Sequence, residues 1–228
     1  MTQVSFQEIK ALVAGFGSYA PQEVSIRALG VLTKRPFQVL LLRGSLFHRT
    51  DELLNSAVML LEADNVVAAF LVVRAVMENM AMQHRLIKML ATRNTTDPAE
   101  MTEVLNRMIV GVKMQHSIDG EMDYPQPINV MTFIEHFSKE NATFKMSFES
   151  LCELAHPNHQ GVASHYSELD PNPGYVTFGP KPETNRQRKE IALEIMNVCI
   201  EIYLVDYLNI ARDVEEWVSE LKAQPQTA

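Results

Sequence analysis

The stretch Pro36 to Arg93, PFQVLLLRGSLFHRTDELLNSAVMLLEADNVVAAFLVVRAVMENMAMQHRLIKMLATR, decides the fold class. Pro36 suits a first helical position, where its missing N–H costs nothing. From Phe37 the apolar residues recur at Leu40, Leu41, Phe47, Leu54, Val58 and Leu61, a stripe of helical period. That helix ends near Ala63. Asp64 is placed to cap a second one, running from Asn65 to about Arg93. Two long helices joined by so short a turn must lie antiparallel.

Helix signals continue on both sides. Ser5 and Glu8 form a capping box ahead of Phe6, Ile9, Leu12, Val13 and Phe16, with Gly15 and Gly17 as the stop. Pro21 to Lys34 carries at most one short helix. Asp97-Pro98 opens a helix through Met101, Leu105 and Met108 that fades before Gly120, and Tyr124 to Ile128 is loop. A short helix spans Met131 to Phe137. Asn141 caps another through Phe144, Phe148 and Leu151, which ends at His156 because Pro157 disfavours helical geometry before it.

His159 to Thr184 breaks the pattern. Asp170-Pro171-Asn172-Pro173-Gly174 is turn chemistry, and Val162–Ser167 could pair with Tyr175–Phe178 in a small β-hairpin. The last helix runs from about Asn185 to Lys222 with Ile191, Ile195, Val198, Ile202 and Val205 expected inward. At about 1.5 Å per residue it exceeds 50 Å, so it either kinks or packs in part on a partner. The expected architecture is all-α: a helical bundle over 36–222, an N-terminal helical segment 1–35 packed on it, an irregular or hairpin insertion near 159–184, and a disordered tail at 223–228.

Composition bounds the function. The chain has 228 residues, 46% of them hydrophobic, enough for a substantial core without staples. Its two cysteines, Cys152 and Cys199, lie far apart in apolar-periodic stretches and read as reduced thiols of a cytoplasmic protein. No secretory signal opens it, and the longest unbroken apolar run, Val66 to Val73, is far short of the roughly 20 residues a membrane span needs. No membrane partner is expected. A net charge of −8 argues against broad binding to nucleic acid but leaves room for a local basic site. Thirteen methionines read mainly as core gap-fillers, with an adaptable groove as the second reading.

Three places could carry chemistry. Arg74 and Glu78, four residues apart, share a face in the most apolar part of the chain. They are a ligand-binding candidate if buried, and otherwise a structural pair or a solvated edge. His156, His159 and His165, with Tyr166, form the densest titratable cluster. Imidazole moves protons near neutral pH, so His156 and His159 are candidate catalytic groups, and His165 and Tyr166 candidate ligand contacts. Loop-anchoring hydrogen bonds are the plainer reading. Glu153-x-x-His156 also matches half of a helical di-iron site, but no second such pair exists in the chain. Finally, Lys181, Arg186, Arg188 and Lys189 gather at a helix start, where cations oppose the dipole and a bound anion or acidic neighbour would relieve them. No cofactor is implied.

A long helical hairpin with Arg74-x-x-x-Glu78 in its second helix, a later helix ending in His156-Pro157, an irregular insertion and a long closing helix together resemble the bacterial helical bundles of the HEPN superfamily (higher-eukaryote and prokaryote nucleotide-binding domains). The resemblance covers Phe37 to Glu220. It implies a homodimer, an RNA or protein partner, and a place in a defence or stress system, where many relatives are metal-independent ribonucleases. Their pattern is an arginine followed after four to six residues by a histidine. Only Arg43…His48 fits that spacing here; it falls earlier than the family motif, and Gly44 replaces the usual polar residue. The expectation is therefore a binding protein. The alternatives are an endoribonuclease using His156 or His159 with Arg74 or Arg186 on phosphate, and a metal protein using Glu78, Glu153, His156 and His159.

Overall fold

A computed structural model describes residues 4–113, 124–171 and 174–224. It is a helical bundle with one small hairpin. Helix α1 (Phe6–Phe16) starts with the expected reciprocal cap: the Glu8 N–H donates to Ser5 Oγ, and Glu8 Oε2 accepts from the Ser5 N–H at 2.7 Å. Gly15 stays inside the helix, which ends at Gly17 and passes into a tight turn over Gly17–Tyr19. Helix α2 (Ile26–Leu29) is one turn, capped by Ser25 and closed by Gly30 in the left-handed region at φ 63°.

Helices α3 (Arg35–Glu62) and α4 (Val66–Ala91) form the hairpin. Its turn differs from expectation. Asp64 adopts φ 54° and shapes the reversal, while Asn65 occupies the cap position; the Asp64 carboxylate accepts from Lys189 Nζ at 3.1 Å instead of capping α4. By length and composition α4 could cross a membrane. Here it is the central helix, packed by α3 and by three elements that follow: α6 (Val130–Glu140), α7 (Ala142–Ala155) and α9 (Pro182–Ala223). Surfaces buried on nearly all sides explain why its sequence is apolar on nearly all sides. Helix α5 (Pro98–Val110) packs on α3, and α1 lies against α3 and α9. Helix α5 ends at Val110, before Gly120 as expected; positions 114–123, Asn172 and Pro173 of the turn and positions 225–228 of the tail fall outside the described residues.

Two further expectations are corrected. The hairpin forms, but its first strand is β1 (Ser167–Leu169), paired antiparallel with β2 (Val176–Phe178) in the register Ser167↔Phe178. Residues 159–163 make a π-type turn and Ser164–Tyr166 a single helical turn, α8, because Asn158 Oδ1 caps the Gly161 N–H and starts helical geometry there. In α9 Ile195 is buried and Ile202 packs against the core as expected, but the other three expected positions do not face inward. Met196, Cys199, Tyr203, Tyr207, Ile210, Val214 and Trp217 point inward, whereas Ile191, Val198 and Val205 are 39%, 43% and 59% exposed. The inward face is marked by Tyr, Cys and Trp, which a stripe counted on Ile and Val passes over.

One polar seam crosses this core. Asn79, 2% exposed, donates to Thr50 Oγ1 at 3.0 Å and accepts from Arg49; Gln83, fully buried, donates to the Tyr203 carbonyl at 2.8 Å. These bonds tie α3, α4 and α9 together at fixed register, since a slip would leave buried amides unpaired.

Candidate functional site

Helices α6 and α7 are joined through Asn141 alone, which is both the C-cap of the first and the N-cap of the second, its side chain accepting from the Phe144 N–H at 2.8 Å. So short a joint forces the two helices to diverge. Between them opens a cleft of about 670 Å³, within the range of small-molecule sites. Ile134, Phe148 and Cys152 give it an apolar lining; Glu135, Lys139, Lys145, Glu149, Glu153 and His156 surround it. Three carboxylates face two ammonium groups. Lys145 and Glu149 approach at 3.8 Å on exposed surface, a pairing of little energetic weight.

Arg74 and Glu78 stand immediately behind this wall. Their side chains are 27% and 22% exposed, so the pair is neither in bulk solvent nor sealed in the core. Arg74 Nε lies 3.3 Å from Glu78 Oε1 without hydrogen-bond geometry, and the guanidinium carbon sits 5.5 Å from the centre of the Phe148 ring. Both charges are felt at the Cys152 thiol. Burial raises the pKa of that thiol, Arg74 lowers it and Glu78 raises it further, so the protonated form prevails near neutrality. Neither Arg74 nor Glu78 lines the cleft itself; they buttress the Phe148–Cys152 face from the α4 side.

The histidines part company. His156 is exposed at the end of α7, on the cleft. His159 is exposed in the π-type turn and contributes nothing to the cleft lining. His165 is 2% exposed, and its Nδ1 lies 2.7 Å from an Arg188 Nη atom. Burial first, then the nearby charges of Arg188 and Lys181, holds its pKa below the ordinary histidine value, so the ring is neutral and Nδ1 accepts. Tyr166 packs edge-on against that ring at 4.4 Å and is otherwise 40% exposed.

The four cations near the start of α9 do not make one anion site. Arg188, 6% exposed, donates to the Gln160 carbonyl at 2.7 Å and Ser164 Oγ at 3.0 Å as well as facing His165, tying the loop to the helix. Arg186 is clasped by Glu183 and Glu190, and Lys189 by Asp64 and the Phe6 ring, whereas neither Lys181 nor Arg188 forms an ion pair with a carboxylate among the described residues. A sequence places the charges at a helix start; the acids answering them come from positions three to four residues away and from the α3–α4 turn.

Among the described residues no three His, Cys, Asp or Glu side chains converge as a metal site, so Glu78, Glu153, His156 and His159 are not gathered as a ligand set. Arg43 and His48 are likewise apart in use. Arg43 Nε donates to the Tyr207 carbonyl at 2.8 Å, and His48 Nε2 lies 2.9 Å from the Pro21 carbonyl. Five residues along a helix turn through about 140° beyond one full turn, which sends them to different faces.

The cleft residues missed from sequence are Phe148, Cys152 and their partners on α6. A signal existed: 148, 152 and 156 recur at helical spacing, so His156 shares a face with a thiol and a phenyl ring. Comparison with known proteins gives no matching family model, no matching curated sequence and no matching solved structure.

Proposed function

We propose that this chain is a cytoplasmic, HEPN-like helical-bundle protein that works by binding, receiving an amphipathic ligand or partner segment in the α6–α7 cleft. The observation that carries the reading is the cleft itself: an apolar lining on Phe148 and Cys152, backed by the half-buried Arg74–Glu78 pair and flanked by His156. An apolar body would lie on Ile134 and Phe148, and a basic group would meet Glu135, Glu149 or Glu153. A thermal-shift screen of small amphipathic amines against the wild type and Ser138→Trp, which fills the cleft from α6, tests it. Stabilisation lost in the variant supports the reading; hits indifferent to the tryptophan refute it.

Pairing with a second copy is part of the proposal. Along α9 the positions Ile191, Glu194, Val198, Glu201, Val205, Leu208 and Arg212 recur at alternating steps of three and four residues and all are exposed. A parallel pair would set Glu194 and Glu201 against themselves. An antiparallel pair centred on Tyr203 sets Glu194 against Arg212 and Val198 against Leu208. Light scattering at high micromolar concentration should give a dimer for the wild type and a monomer for Leu208→Lys; a monomeric wild type defeats the pairing.

The endoribonuclease reading retains one supporting observation, the exposed His156 beside the cleft. Cleavage of total RNA in EDTA that disappears in His156→Ala would favour it; unchanged RNA would remove it.

A further inference from the structure

A second cleft, remote from the first, lies where the connecting segment arches over α3 towards the C-terminal half of α9. It measures about 520 Å³ and is walled by Leu29, Leu40, Val214 and Val218. The arch is fixed at its first end. Tyr207 Oη donates to the Tyr19 carbonyl at 3.2 Å, and His48 Nε2 meets the Pro21 carbonyl. Pro21 comes so near α3 that a Cβ on Gly44 would stand 3.1 Å from its ring. At the second end Thr33 Oγ1 accepts from Arg35 Nε at 3.1 Å. The cleft is thus held open by structure on both sides.

Arg43 reaches into this space from α3. Its guanidinium lies flat on the Tyr207 ring, 3.3 Å from the centroid, with Nε spent on the Tyr207 carbonyl. That fixes the plane of the group and leaves the two terminal nitrogens as a rigid fork. Arg43 is half-buried, and no carboxylate approaches within ion-pair distance among the described residues. Glu215 lines the same cleft and acts on Arg43 only at longer range; Glu23 and Lys222 complete the charged lining. A planar guanidinium with its orientation already set is matched to two carboxylate oxygens, and an immobilised fork loses little entropy in binding them.

We propose that this cleft binds an amphipathic monocarboxylate, its carboxylate bridging the terminal nitrogens of Arg43 and its aliphatic or aromatic body lying on Leu29, Leu40, Val214 and Val218. An alkyl chain alone would gain the apolar contacts and not the fork; an alkyl ammonium would find Glu23 and Glu215 but would be repelled by Arg43 and leave its fork unused.

Decanoate, decanol and decylammonium, each kept below its micellar concentration, are titrated into the intact chain and followed by calorimetry and by methyl NMR. The expected result is saturable binding of decanoate at least tenfold tighter than of either analogue, with shifts centred on Leu29, Leu40, Val214 and Val218. Arg43→Gln should remove the preference for the acid while leaving weak binding of decanol. Because Arg43 also packs on Tyr207, a second variant, Ala28→Trp, obstructs the cleft without touching it and should abolish binding of both. Equal affinity for acid and alcohol, or decanoate binding indifferent to Ala28→Trp, overturns the proposal.

Discussion

Gly161 is the residue on which the loop after α7 turns, and substituting it by alanine should have a cost that the structure lets one work out. It is buried, its N–H donates to Asn158 Oδ1 at 2.9 Å, and its α-carbon faces the end of α7. A Cβ there would fall inside the van der Waals envelope of the His156 carbonyl oxygen and 3.0 Å from both the His156 carbonyl carbon and the Leu154 carbonyl oxygen. All three atoms are backbone, so no side chain can swing aside. The loop must lift by about an ångström, which loosens the Arg188 bonds to Gln160, Ser164 and His165. Forcing a methyl group into such a site costs about 1–3 kcal/mol. A domain of this size loses about 2–4 °C in melting temperature per kcal/mol, so Gly161→Ala should melt about 2–12 °C lower. Amide exchange in 156–166 should rise at the same time. Gly15→Ala is the control: nothing lies within 4 Å of its Cβ and it sits inside α1, so the same change there should stabilise by about 0.5–1 kcal/mol. An unaltered melting temperature for Gly161→Ala, with amide protection of the loop intact, would refute the reasoning.

Other consequences are equally direct. Ser5→Ala removes the side-chain half of the α1 cap, leaving the Ser5 N–H to Glu8, and should cost about 1 kcal/mol in urea unfolding; no change would mean that the Ser5 hydroxyl adds nothing to what Ile9, Val13 and Phe16 already hold. His165 has its pKa lowered in the fold, chiefly by burial, so the unfolded chain takes the proton more readily. Stability is then full above the ordinary histidine value of about 6.5 and declines as pH falls below it. His165→Gln should flatten that decline between pH 7 and 5.5, and an identical slope would count against the neutral, accepting ring. Burial pushes the Cys199 thiol up to about 12, and Cys152 is partly accessible. Ellman's reagent should therefore modify one thiol per native chain and two in urea. Rapid modification of both in the native protein would contradict the packing of α9.

The local order of this protein was legible in the chain because its signals are short-range. Ser5 with Glu8, Asn141 before Phe144, and Pro157 after His156 each act within one helical turn, and each fixes a helix boundary without help from the rest of the molecule. The all-α class follows from periodicity in the same way. Where boundaries depended on long-range partners, the sequence was a poorer guide. Asp64 was free to cap α4 by spacing, but Lys189, 125 residues away, claims its carboxylate.

The candidate site was legible in pieces and not as an assembly. Arg74, Glu78 and His156 each stood out by residue type. That they flank one wall of α7, with Phe148 and Cys152 between them, is decided by how α4 packs on α7. The same packing separates His165 from the other imidazoles, burying it against Arg188, and divides four clustered cations among four different environments. Helical period is a property of the chain's own backbone and can be counted along it. Which face meets which neighbour is fixed by the combined burial of several helices at once, so the phase of α9 and the opening of the α6–α7 cleft exist only in the folded whole.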